Sequence, residues 1–598
     1  MRSVGSARRQ TMGGFAGGQT SGTRVRACAL AVVPGLVWMV VFVFRAGVNP
    51  YGGLRFTLFD DAMISMTYGR TLADTGEWVW FPGADRVQGI TNPMWSLVMA
   101  FEHALGLSGS AAALTMSIVG CASVVAVSWL VFEIVGRTMG SDPAALPHAM
   151  VAGGAVPFIY PFVFWALRGM EVGVLCALVM LVVFALGSEG DRPRVAVAAT
   201  AATLAVLVRL DVAVLVLAVT AVELTGRPRC DAGELRRRRR NALVVAGATV
   251  AAASAVLAFQ WRYWGDWLPN TYRLKVEGYG TGERLVRGVV SLGKSLPLLV
   301  VVALGVWVVE RSSHNPAIHR CRQLAVVVLA GVVYATWVGG DAWESYLTTS
   351  RYVSTVLPFA LAIAVIAMGV ATQDAARHRR VLFAGCLLVP ISALGAGLVS
   401  NPYRFHMGYA VGMAVVVAVA VSAAVALSSR SSITRAAVVV VLVVASVSAY
   451  PVARWVRFGG LHVADDHYEA EVGASLRAST DEGAVIAVSL AGASAYYSER
   501  PMIDLLGKSD PVIAGVAPSG PLYPGHNKYD YDYSIGQLRP DVVVRTATTS
   551  GELGVRLTGW GYTRRCLVLA DGEMVPSWFR ADSTLIRWDD LRDCPAER

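Results

Sequence analysis

The sequence predicts an α-helical polytopic membrane protein carrying a C-terminal α/β extracytoplasmic domain. Three observations carry that reading. Hydrophobic residues make up 55% of the 598 positions against 16% charged, and the mean hydropathy is +0.52, outside the usual composition of a soluble domain. Apolar runs near the ~20 residues that span a bilayer recur from Ala27 to Tyr450. After Tyr450 the pattern changes to short apolar strands separated by Gly, Pro, Asp and Arg, as in a water-exposed domain.

The elements follow in order. Residues 1–26 form a basic N-terminal tail and 27–450 a multi-span domain. Spans are expected near 27–46, 111–136, 147–166, 171–187, 194–208, 211–225, 241–260, 295–309, 321–338, 352–372, 381–399, 408–427 and 434–450, and residues 451–598 form the soluble domain. Arg24 and Arg26 precede the first span, and Arg236 to Arg240, Arg320 with Arg322, Arg377 to Arg380 and Arg430 with Arg435 recur on the same side. The excess of arginine in cytoplasmic loops therefore places the N-terminus in the cytoplasm of a plasma-membrane protein. Loops 47–110, 261–294, 339–351 and 400–407, and the tail, then face outward. The first apolar stretch lacks a convincing small-residue cleavage site and is read as a span, not a signal peptide.

The net charge of +10 does not imply nucleic acid, because the arginines sit in short loops between apolar runs. No P-loop, dinucleotide fingerprint, HExxH or paired CxxC stands in a supporting context. Six cysteines lie in or beside apolar runs, whereas Cys566 and Cys594 share the tail and are a disulfide candidate if it is extracytoplasmic.

Polar groups at the outer face are the candidate site. Asp60 and Asp61 stand directly ahead of a helical pattern with Ile64, Tyr68 and Leu72 on one face. One aspartate satisfies a helix start; two adjacent carboxylates exceed that need, and both are read as catalytic. Arg168 and Glu171 lie between two spans, and Arg209 with Asp211 occupies another tight reversal, where for the latter pair an ion pair that helps the chain turn is an equal reading. Candidate substrate-binding residues are Glu171, Arg209, Asp211, Asn270, Thr271, Lys275, Asp341, Arg351, Asp504, Lys508, Asp510, His526 and Lys528. Three of the four lysines, Lys275, Lys508 and Lys528, fall on the outer side, where an ammonium suits a phosphate. Tyr496, Tyr497, Tyr529, Tyr531 and Tyr533 offer flat surfaces for a glycan.

The strings FDDAMISMTYGRTLADTGEWVWFPG and VQGITNPMW, followed in order by GME at 169–171, RLD at 209–211, LPNT at 268–271, DLLGKSDP at 504–511 and PGHNKYD at 524–530, resemble GT-C membrane glycosyltransferases of the mycobacterial arabinofuranosyltransferase B type. Gln88 and Leu210 depart from the strings expected of relatives. The resemblance implies a donor sugar on a polyprenyl phosphate, specifically decaprenyl-phosphoryl-arabinofuranose, and an arabinan acceptor of the cell wall. A divalent cation, magnesium or manganese, is a possible cofactor without distinctive ligand spacing. The implied reaction is an inverting displacement in which one aspartate, Asp60 first, takes the acceptor proton while Asp61 positions acceptor or cation. Lys275, Arg209 and Arg351 are candidates to meet the departing phosphate. Alternatives are a transferase using another polyprenyl-phosphate sugar, such as mannose, and a non-catalytic transporter of lipid-linked glycan.

Overall fold

The computed structural model describes residues 21–140, 142, 144–187, 192–225, 231–312, 315–373, 432–459, 462–546 and 551–595. Two expected spans, 381–399 and 408–427, and the loop between them lie outside the described residues.

Among the described residues, five helices are long and apolar enough to cross a membrane, Gly22–Gly47, Gly109–Met139, Ala232–Trp264, Ala317–Trp337 and Ile433–Arg457, and two bent pairs raise the count to seven. One pair, Ala145–Phe158 with Tyr160–Leu167, turns by 58°; Pro157 and Pro161 stand at that break, where a missing amide and ring clash end the ladder. Val172–Leu186, Arg194–Val208 and Leu357–Ala371 are apolar but short. The chain is a multi-pass membrane protein. Its last long helix, Ser432–Phe458, runs past the composition change at Tyr450.

The ends carrying the basic clusters interlock. Glu133 takes Arg24 at 3.1 Å and Arg137 at 2.8 Å, and buried Glu223 holds Arg238 at 2.9 Å and His319 at 2.7 Å. These pairs satisfy charges that lipid cannot.

The opposite face carries four shorter helices, Asp60–Thr75, Pro93–Ala104, Asn270–Val276 and Thr281–Lys294. Against it sits a five-stranded sheet of β1 (Ile486–Val488), β2 (Met502–Asp504), β3 (Val542–Val543), β4 (Tyr562–Val568) and β5 (Met574–Arg580), in the order β2-β1-β3-β5-β4. β1 runs parallel to β2 and β3, and β5 antiparallel to β3 and β4. Cys566 on β4 is disulfide-bonded to Cys594, tying the end of the described chain to the sheet.

The helix Val463–Ser479 joins sheet to membrane domain. Asp466 forms a fully buried ion pair with Arg168 at 2.5 Å, and Arg168 also donates to the Thr57 carbonyl at 2.9 Å. Glu471 accepts from Asn49 at 3.0 Å and pairs with Arg55 at 2.5 Å. Arg168 thus joins the two domains through Asp466 and the Thr57 carbonyl. Removing one partner of a buried pair leaves a charge that nothing solvates. Arg168→Met is expected to cost about 3–5 kcal/mol, read as a lower melting temperature and faster proteolysis after Phe458, with Arg168→Met/Asp466→Leu recovering part of the loss.

Candidate functional site

Helix Asp60–Thr75 starts at the acidic doublet, but neither carboxylate caps it: Phe59 is the N-cap residue and makes no side-chain bond there. The two side chains diverge. Asp60 turns to the soluble domain, where its Oδ1 accepts from the amides of Gly492 at 3.1 Å and Ala493 at 3.0 Å, at the start of helix Ala493–Ser498. A Cβ on Gly492 would stand 2.0 Å from the Asp60 carbonyl oxygen, so only glycine permits this approach. Burial pushes the Asp60 carboxyl up, with Lys508 opposing. Asp60 does not line the cleft that Asp61 faces.

Asp61 opens onto that cleft, about 590 Å³ counted with the solvent at its mouth, between the segment 61–92, helix Asn270–Val276, the segment 341–351 and the loops after β2. Its Oδ1 receives Lys508 Nζ at 2.9 Å and its Oδ2 receives Arg351 at 3.2 Å. Burial alone would raise this carboxyl, yet Lys508, Arg351 and Lys275 outweigh it and hold it below the ordinary carboxylate range. Lys508 is the reciprocal case, raised by the Asp61 and Asp60 carboxylates against the opposing effect of burial.

The surroundings aim Lys508. Asp504 gathers the amides of Leu506, Gly507 and Ser509 at 3.0, 3.2 and 2.8 Å. Asn270 Nδ2 donates to the carbonyls of Gly507 at 2.8 Å and Lys508 at 3.1 Å. Arg351 is held by Asp341 at 3.7 Å. Lys275 and Thr271 line the cleft, and Lys275 has no ion-pair partner among the described residues. Three cations, Lys275, Arg351 and Lys508, thus face two carboxylates, Asp61 and Asp341, an excess of positive charge suited to a phosphate.

Glu171, Arg209 and Asp211 lie behind this centre. Arg209 grips Asp211 with two nitrogens, at 3.0 and 2.5 Å, and Glu171 at 2.7 Å. Glu171 receives Asn92 at 2.8 Å, and Asn92 receives Ser65 at 2.8 Å, so the network reaches the cleft through Asn92. Beside it runs an apolar groove with about 410 Å³ of empty space among Leu175, Leu215, Gly331 and Tyr352, with Arg209 and Arg351 at its polar end. Arg351 lines both cavities.

Other candidates are placed elsewhere. Lys528 is buried and donates to the Ala514 carbonyl at 2.6 Å. Asp510 caps Pro511–Gly515. Tyr496 is buried, its hydroxyl bonded to the Gly109 amide at 2.9 Å and to His103 at 2.8 Å, and Tyr531 is buried in the soluble core, so neither offers a glycan surface. Sequence reasoning missed Trp343, which lines the cleft, and Tyr523, exposed beside His526 with ring centres 4.9 Å apart. Only their aromatic character in polar outer segments hinted at them. Among the described residues no group of three His, Cys, Asp or Glu side chains converges; Asp61 is engaged by Lys508 and Arg351, and Asp60 keeps a buried Oδ2 without a hydrogen-bond partner.

Residues 459–587 match a family model described as a domain of unknown function (DUF8728). No curated protein matches the sequence. ArnT from Cupriavidus metallidurans bound to undecaprenyl phosphate is 16% identical and superposes with a TM-score of 0.55 over 92% of this chain and 97% of its own. The chain has the GT-C membrane fold. ArnT in the apo state gives a TM-score of 0.54 at 14% identity over 92% and 98% of the two chains.

At the domain junction, His467 Nε2 donates to the Ala46 carbonyl at 2.9 Å, leaving Nδ1 buried without a partner. Burial, joined by Arg168 and Arg55, pushes this imidazole from 6.5 to about 4. Between those values the unfolded chain binds the extra proton, so this residue's contribution to stability falls as pH drops from 6.5 towards 4. The melting temperature of His467→Gln relative to wild type is therefore expected to rise across that interval, as thermal unfolding at stepped pH will measure.

Proposed function

We propose that the chain is an inverting glycosyltransferase that takes a sugar from a polyprenyl-phosphate carrier and attaches it to a cell-wall glycan. The observation that carries this reading is the cleft where Asp61 is gripped by Lys508 and Arg351 beside unpaired Lys275, with Arg351 also closing an apolar groove. A lipid phosphate needs both features, cations for its head and an apolar path for its chain. That ArnT shares the fold and was crystallised with undecaprenyl phosphate supports a polyprenyl carrier.

The cations act where charge develops. As the bond from the anomeric carbon to the phosphate oxygen breaks, negative charge grows on phosphate, and preorganised Lys508, Lys275 and Arg351 stabilise it more than the ground state. Asp61 sets the spacing of Lys508 and Arg351; the Asn92, Glu171 and Arg209 network supports the wall.

The resemblance to arabinofuranosyltransferase B refines the donor to decaprenyl-phosphoryl-arabinofuranose and the acceptor to the arabinan terminus of arabinogalactan or lipoarabinomannan. On this reading the N-terminus is cytoplasmic and the cleft extracytoplasmic, where nucleotide sugars are absent.

Membranes containing the protein, supplied with labelled decaprenyl-phosphoryl-arabinose and a synthetic arabinan acceptor, should form a new glycosidic linkage, with the mannose-linked donor run alongside to decide the sugar. Asp61→Asn and Lys508→Met are expected to lower turnover by about 10²–10³ without loss of folded protein. Asp60→Asn, which keeps its Oδ1 acceptor, should retain most turnover, and Asp60→Ala should cost about 1 kcal/mol of stability. Full activity in Asp61→Asn, or loss of activity in folded Asp60→Asn equal to that in Asp61→Asn, contradicts these roles.

A further inference from the structure

The proposed displacement needs a group to accept the proton of the attacking hydroxyl, and neither member of the acidic doublet is suited to it. Asp60 does not line the cleft: its Oδ1 is engaged by two amides of the C-terminal domain, and its Oδ2 is buried away from the cleft-lining residues without a hydrogen-bond partner. Asp61 is in the cleft, but a carboxylate pinned by an ammonium and a guanidinium at 2.9 and 3.2 Å has little affinity for a proton.

Resting on that reading, we infer that His526 is the general base, accepting the acceptor hydroxyl's proton on Nε2. His526 lines the cleft with Asp61, Lys275, Lys508 and Trp343. Its Nδ1 stands 2.9 Å from the Pro524 carbonyl. A carbonyl oxygen can only accept, so Nδ1 carries the hydrogen, and in the neutral ring Nε2 is left with the free lone pair. The ring is oriented by its neighbours: the Trp343 edge contact, with ring centres 5.6 Å apart at 89°, lies on one side and Tyr523, at 4.9 Å, on another.

Electrostatics decide when this nitrogen works. The charged groups acting on it are Lys508 from the loop after β2, Asp61 from helix Asp60–Thr75 and Lys275 from helix Asn270–Val276; its own loop contributes the Pro524 bond and the titratable Tyr523. Burial and Lys508 push the empty-site imidazole down to about 4, so the ring is neutral at neutral pH. A phosphate docked against Lys508 and Lys275 offsets the charges that disfavour imidazolium and so raises the basicity of Nε2, whereas Asp61 keeps its pair with Arg351 at 3.2 Å.

The step balances without a further reactant. The hydroxyl oxygen bonds to the anomeric carbon as its proton passes to Nε2. The bond from that carbon to the phosphate oxygen breaks, its electron pair staying on the departing polyprenyl phosphate. The imidazolium then returns its proton through solvent, restoring the neutral ring.

The test uses the full-length protein in lipid nanodiscs with decaprenyl-phosphoryl-arabinofuranose and a synthetic arabinan acceptor. His526→Gln is expected to lower kcat by about 10²–10⁴ with little change in the donor's KM, and to abolish the fall in kcat on acidification that wild type shows. Imidazole added to His526→Ala is expected to restore turnover. Wild-type kcat in His526→Gln, or residual activity that keeps the wild-type acid limb with no imidazole rescue of His526→Ala, overturns the assignment while leaving the transferase reading standing. A wild-type protein that forms no linkage from either the arabinose or the mannose donor overturns the proposed function, and this assignment with it.

Discussion

One carboxylate holds the two halves of the molecule in functional register. Asp61 belongs to helix Asp60–Thr75, Arg351 to a later segment of the membrane domain, and Lys508 to the sheet domain, and both cations reach the same side chain. A partly buried carboxylate lining such a cleft is held in place by its paired cations. The positions of three distant segments are therefore coupled through Asp61, and the cleft exists because they meet.

The same division of labour explains why two adjacent aspartates have different neighbours. Successive residues on a helix point about 100° apart. Asp60 therefore faces helix Ala493–Ser498 while Asp61 faces the cleft, and the lack of a Cβ at Gly492 lets the soluble domain approach closely enough to be held. Around this contact, the Arg168 to Asp466 pair and the Glu471 contacts set the soluble domain firmly on the first outer loop. The loop after β2 can then present Lys508 as part of a preorganised wall, because Asp504 and Asn270 have already satisfied its backbone.

Much of the architecture was legible before any coordinates. Hydropathy fixed on eleven of the helical segments now seen, since in lipid an apolar helix is nearly the only way to satisfy the backbone, and the change of pattern near Tyr450 marked the approach to the sheet domain. The short outer helices Pro93–Ala104 and Thr281–Lys294 were not recognised, because interfacial segments lack a continuous apolar run. Within the site, Asp61, Lys275, Asp341, Arg351, Lys508 and His526 were named from residue type and predicted side, and they line one cleft. Lys528 and Asp510 were named on the same grounds and serve local structure instead. Residue type does not reveal which carbonyl or amide a folded chain will bring within reach.

By itself, the sequence determined that the chain spans a membrane, that a mixed α/β domain follows, and that the polar residues between apolar runs cluster on a few segments. Those properties depend on local composition and periodicity. Only the tertiary structure decided that Asp60 meets the domain junction and Asp61 the cleft, and that His526 and Lys275, the latter with no ion-pair partner among the described residues, line that same cleft. Each is a relation between segments remote in the chain, set by packing of the two domains, and burial and pairing energies have no value until those segments have met.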